Sequence, residues 1–230
     1  MRILALETST EWCSVAVGDG GHWFTRDEPT GPAHSERALA LVEAVLAEAG
    51  WTLSAIDGIA FGAGPGSFTG IRVACGLAQG LALGADLPVV PVPTLAALAH
   101  AAWGTHGAAR IVACLDARMR EVYVAAYERN GPVWREVEAA RVLAPAQMVR
   151  PEGDDWLGAG NGYAAYPELA GQLGLARADA AARPTARAVG ELALPRLIAG
   201  EGVAAADALP LYVRHRVALT TAEREAGARL

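Results

Sequence analysis

Two acids stand where chemistry could begin. Glu7 closes the first apolar run, ILALE, and Asp116 closes a similar run, IVACLD, in the second half of the chain. An acid at a strand end can hold magnesium beside a phosphate, or it can anchor the next turn through its own backbone. Both readings stay open at this stage, with Thr8 and Ser9 grouped beside Glu7. A second candidate is the glycine-rich turn AGPGSFTG, residues 63–70. It lies between a strand and a helix, where free amides and the helix dipole favour an anion. It fits no phosphate fingerprint: the Walker loop needs a lysine, and Gly64, Gly66 and Thr69 give GxGxxT instead of GxGxxG. A nucleophile elbow at Ser67 would need glycines where Pro65 and Thr69 stand. The plainer reading is a tight turn with Ser67 or Thr69 capping the helix.

Composition removes further chemistries. All 19 basic residues are arginine, so Schiff-base, P-loop and general-base lysines are excluded. His22, His34, His100, His106 and His215 show no paired spacing, and Cys13, Cys75 and Cys114 show no CxxC. Neither a zinc site nor a disulfide framework is expected, which suits a reducing cytosol. No Ser–His–Asp arrangement emerges. The net charge of −6, with no basic run, argues against holding nucleic acid unaided. The start MRILALETST suits a β-strand better than a signal peptide, and no apolar run approaches the ~20 residues of a membrane span.

The elements that must position these residues follow from apolar periodicity. Strands are expected at 3–8, 12–17, 22–26, 56–62 and 88–92, with helices at 34–50, 69–83 and 94–103. After the break at 104–107 the pattern restarts with strands at 111–118, 121–127, 133–137 and 155–159. A short helix near 146–149 and helices near 163–173 and 185–199 complete it. Each half reads as three meandering strands and then alternating helices and strands. This resembles the ribonuclease-H-like unit, and two in tandem resemble the actin, Hsp70 and sugar-kinase (ASKHA) architecture. The fold class is therefore α/β, with mixed sheets flanked by helices. An N-terminal lobe, 1–104, is expected, completed by the C-terminal segment 208–230, and a smaller lobe over 105–207. In that architecture each first strand leads to a phosphate-binding hairpin. The matching segments here, TSTEWCS and DARMREVY, contain no glycine, so a nucleotide site at Glu7, Thr8, Ser9 and Asp116 would be weak.

The helix after the turn carries Gly76, Gly80 and Gly84 along one face. Each glycine costs about 0.5–1 kcal/mol relative to alanine inside a helix, so close approach of another backbone is the expected return. That backbone is either the protein's own sheet or a helix from another chain. The helix starting at His34 is the natural companion.

GPGSFTGIRVACGLAQGLA closely resembles the signature of the TsaB family, also called YeaZ or glycoprotease-like. ILALETSTEWCSVAV, HSERALALVEAVL, LDARMREVY and LPLYVR agree along the chain, although Glu7 stands where the family often has Asp. The resemblance implies a cytoplasmic, non-catalytic subunit of the complex that makes threonylcarbamoyladenosine at tRNA position 37. A TsaD-like chain performs the transfer, a TsaE-like ATPase joins it, and TsaB also forms homodimers. The contact is made by a four-helix arrangement, which points to His34, Ala38, Leu41, Val42 and Val45 on one helix. On the other it points to Arg72, Cys75, Gly76, Gln79, Gly80 and Leu83. No cofactor of its own is implied, ATP or ADP entering at most with the assembled complex, and tRNA is met only through the complex. No membrane partner is implied. Thr94 and Leu98 stand where the resemblance puts the two metal-binding histidines of TsaD, and neither can ligate a metal as histidine does. The rival reading is an ATP-dependent transferase or metallopeptidase of the actin-like superfamily, built on Glu7 and Asp116.

Overall fold

The computed structural model describes residues 1–214. His215 and the part of the expected 208–230 segment from residue 215 onward lie outside the described residues. Strand β1 (Ile3–Glu7) is buried along its whole length, as a continuous apolar run in the middle of a sheet must be. It pairs antiparallel with β2 (Trp12–Gly18), which pairs with β3 (Trp23–Pro29). On its other side β1 runs parallel to β4 (Gly58–Gly64), and β4 to β5 (Val89–Pro93). The first sheet is thus ordered β3-β2-β1-β4-β5.

Alternate residues of β1 face opposite layers. Leu4 and Leu6 pack under α1 (His34–Ala49) and α2 (Phe68–Ala85), while Ile3 and Ala5 face the other side. Gly50 ends α1 in the left-handed conformation. Helix α2 is the one described helix long and apolar enough to cross a membrane by length and composition. One side of it is committed here to the sheet through Ala74, Ala78 and Ala82.

Helix α3 (Thr94–His106) joins the two sheets, with Ala97 in the first-sheet core and Leu95, Leu98 and Ala102 in the second. It extends three residues past its expected end because Gly107, not Gly104, takes the left-handed cap. The second sheet contains β6 (Arg110–Arg118), β7 (Glu121–Asn130), β8 (Val133–Leu143), β9 (Trp156–Ala159) and β10 (Arg177–Asp179). Its order, β10-β9-β6-β7-β8, repeats that of the first sheet. In both sheets the first strand is central, antiparallel to the second and parallel to the fourth.

Three expectations need correcting. The helix expected over 163–173 is two short turns, α4 (Gly162–Ala165) and α5 (Leu169–Gln172), with Pro167 between them. The helix near 146–149 is a single 3-10 turn, Pro145–Gln147. The limits 105–207 take in α6 (Ala186–Ile198), which packs on Ile3, Ala5, Ala16 and Ala60 of the first sheet. Residue 203 likewise pairs with Val89 of β5. The chain therefore returns to the first sheet some twenty residues earlier than expected.

Candidate functional site

The carboxyl ends of β1, β4 and β6 border a cleft of about 870 Å³, lined by Ser9, Gly66, Asp116, Arg118, Tyr123 and Tyr212 among others. Of the four residues expected there, Ser9 and Asp116 line it, whereas Glu7 and Thr8 do not. Glu7 points into its own sheet, 1% exposed. Its Oε1 accepts the Ser9 amide at 2.6 Å, and its Oε2 accepts the Thr94 hydroxyl at 3.3 Å. Burial pushes its carboxyl above the usual range, against the hydrogen bonds from Ser9, Thr94 and Thr8. Thr8 is buried and donates its hydroxyl to the Gly70 carbonyl at 2.7 Å. Asp116 acts on its own hairpin: Oδ1 accepts the Arg118 amide at 2.9 Å, and Oδ2 lies 3.3 Å from the Arg118 guanidinium.

That hairpin is built without glycine. Arg118, Met119 and Arg120 all have positive φ, at 60°, 54° and 61°. Left-handed backbone costs about 1–2 kcal/mol per residue when a Cβ is present. The turn thus brings the long side chains of Arg118 and Met119 to the cleft, where a phosphate-binding hairpin would present bare amides.

The glycine-rich turn behaves as a cap. Ser67 Oγ accepts the Gly70 amide at 3.3 Å, and the Ser67 amide donates to the Ser9 carbonyl at 2.7 Å. Ser67 rather than Thr69 is the N-cap. Thr94 and Leu98 are both fully buried: the Thr94 hydroxyl accepts the Gly64 amide at 3.0 Å, and Leu98 sits in the second-sheet core. Among the described residues, no group of three or more His, Cys, Asp and Glu is placed to hold a metal ion. His34 is buried between the Thr30 hydroxyl and the Thr10 carbonyl, each at 2.8 Å. Burial holds its ring below the usual histidine range, against the bond to Thr10. His106 pairs with Asp179 at 2.7 Å, and His22 is exposed.

The second candidate is the outer face of α2. Among the described residues, a Cβ built on Gly76, Gly80 or Gly84 would meet nothing within 4 Å, so the protein's own sheet is not what these glycines accommodate. Arg72 and Leu83 are exposed beside them, and Gln79 is half-buried. Phe68 continues the row one turn earlier, with the Arg72 guanidinium 3.3 Å from its ring centre and 5.2 Å from that of Tyr212. The remaining residues expected at this face turn inward. Ala38, Leu41, Val42 and Val45 belong to the first-sheet core, and His34 is buried at the start of α1. Cys75 is buried too, its Sγ donating to the Ala208 carbonyl at 3.3 Å. The apolar stripe of α1 is needed by its own sheet, which leaves Leu39, Ala40, Glu43 and Ala47 outside. Phe68 was readable from the four-residue spacing; Leu39 and Tyr212 carried no local signal.

Residues 28–221 match the family model described as TsaD: tRNA N6-adenosine threonylcarbamoyltransferase. The tRNA threonylcarbamoyladenosine biosynthesis protein TsaB of Escherichia coli K12 is 41% identical over 224 residues, spanning 95% of this chain and 96% of that protein. Its namesake in Haemophilus influenzae is 39% identical over 226 residues, spanning 94% and 95%. Among solved structures, YeaZ from Pseudomonas aeruginosa superposes with a TM-score of 0.86 at 42% identity, covering 92% of this chain and 99% of that one.

Proposed function

The chain belongs to the TsaB family, and from that membership we propose that it is the accessory subunit of the complex that installs N6-threonylcarbamoyladenosine at tRNA position 37. It supports a TsaD-like transferase and carries out no transfer itself. The complex works in the cytoplasm and includes a TsaE-like ATPase. The chain pairs with itself when that transferase is absent, and tRNA is reached through the partner. The repeated sheet order supports reading the two halves as tandem ribonuclease-H-like lobes of the ASKHA kind.

One observation carries the proposal: none of the described residues packs on the glycine row of α2. Three helical glycines whose cost brings no packing against the described residues are accounted for by a helix docking from outside. The docking set is revised to Arg72, Gly76, Gln79, Gly80 and Leu83, with Phe68 and the outer face of α1 added. The cleft supports the same division of labour. Its β6–β7 hairpin presents arginine and methionine side chains in place of glycine amides, and Glu7 is closed off inside its sheet. A nucleotide, if it joins, joins with the assembled complex. The reading of this chain as a transferase or metallopeptidase in its own right is not favoured by relatives named for threonylcarbamoyladenosine biosynthesis.

The test is co-purification with a TsaD-like chain. The native chain is expected to co-elute, and Gly80→Arg is expected to lose the partner while keeping its far-ultraviolet circular dichroism and thermal transition. Transfer activity by the isolated chain, or undiminished pairing of Gly80→Arg, would overturn the proposal.

A further inference from the structure

His100 lies on α3, between elements of both sheets, and it touches one polar group from each side. Toward the first sheet its Nε2 is 2.9 Å from Glu191 Oε2 on α6. Toward the second sheet its Nδ1 is 3.0 Å from Trp134 Nε1 on β8. An indole nitrogen can only donate. The Nδ1 facing it must therefore be the unprotonated acceptor, and the ring proton sits on Nε2, pointing at the Glu191 carboxylate. The two contacts fix one tautomer of a neutral ring.

We propose that Glu191, His100 and Trp134 form a proton-sensitive tether joining α6 of the first sheet to the β7–β8 hairpin of the second. A proton taken from solvent onto Nδ1 sets an imidazole N–H against the indole N–H. Two donors then face each other, and the Trp134 bond is lost. The same proton turns the Glu191 contact into an ion pair, so the ring stays with α6 while the hairpin is released.

The other charged groups around the ring favour this asymmetry. Arg187, one turn before Glu191 on α6, donates its Nε to Glu191 Oε1 at 2.9 Å. Burial raises the Glu191 carboxyl, but the bonds from His100 and Arg187 outweigh it and hold the group below the usual range. It is thus still ionised when a histidine becomes protonated. From β7, the Arg129 guanidinium stacks 3.6 Å from the Trp103 ring centre and 5.9 Å from that of Trp134. This cation, held against the two indoles, repels a positively charged imidazole, so the protonated ring is drawn away from Trp134 and toward the Glu191 carboxylate. Trp103 itself is 5.4 Å from the His100 ring and neutral.

The test has two readouts on the full chain. In a long-range proton–nitrogen spectrum of the ¹⁵N-labelled protein near pH 8, His100 should show the Nε2–H tautomer; an Nδ1–H signal would overturn the proposal without any variant. Amide-exchange protection at the Trp134 end of β8 should then fall about fivefold between pH 8 and pH 5.5, the loss of one hydrogen bond. Trp134→Phe keeps the ring and removes the donor, so its protection should change less than twofold over the same range. A fall in the variant equal to the native one would also overturn the proposal.

Discussion

The Glu7 carboxyl and Gly62 lie so close across the sheet that a Cβ at residue 62 would run into Oε2. Gly62 is therefore required by its neighbour and not by backbone angles, because its φ is not positive. Gly62→Ala should destabilise the protein by about 1–3 kcal/mol, the range for overpacking a filled interior. Glu7→Ala in the same chain should restore part of that loss, and a double-mutant cycle in urea measures the coupling.

Glu7 also sets a pH dependence. Its folded carboxyl titrates above the ordinary value of 4.5, chiefly because it is buried. The folded chain thus keeps a proton that the unfolded chain releases. Its stabilising share is complete below 4.5 and is lost as pH rises through the folded value. Glu7→Gln cannot ionise and retains an oxygen for the Ser9 amide. Its stability should not decline over that interval, and at pH 8 it should exceed that of the native chain. Urea midpoints at pH 5 and pH 8 check the sign.

The β6–β7 hairpin offers a simpler test. Arg120 holds φ at 61° with no hydrogen bond from its side chain among the described residues. Arg120→Gly should stabilise the fold by about 1 kcal/mol, the left-handed cost of a Cβ. A stability loss would mean that the arginine makes a contact worth more than its strain.

The three thiols should be slow to react. Burial pushes Cys13 to about 11 and Cys114 to about 12, and raises Cys75 as well. The thiolate is the reactive form, so labelling by a disulfide reagent at pH 8 should wait on unfolding and accelerate in urea.

How much of this was readable beforehand depended on whether the signal was local. Runs such as ILALE and IVACL fixed the central strands, and the four-residue glycine spacing marked a special helix face. β10 was missed because RAD is three residues long, two of them exposed, with no apolar pattern. The direction of α1 was the larger error. An amphipathic helix announces which face is apolar, not which neighbour that face meets, and the sheet took Ala38, Leu41, Val42 and Val45. Glu7 and Asp116 looked alike in sequence. Only the fold separates an acid sealed against Gly62 and Thr94 from one at a cleft edge.

The glycine row makes the sharpest prediction, because folding and association should move in opposite directions. At Gly76 and Gly80 an added methyl meets no atom of the described residues, so Ala is free to act on helix propensity alone. Gly76→Ala and Gly80→Ala should each stabilise the isolated chain by about 0.5–1 kcal/mol. The same methyl stands in the path of any backbone that docks on α2, so affinity for the partner helix should drop about tenfold per site, close to 1.4 kcal/mol. Thermal unfolding of the monomer and titration against the TsaD-like chain give the two numbers separately. Glycines kept for the chain's own folding would lose stability on substitution, and glycines kept for nothing would leave the partner's affinity unchanged. Only a docking surface trades one for the other.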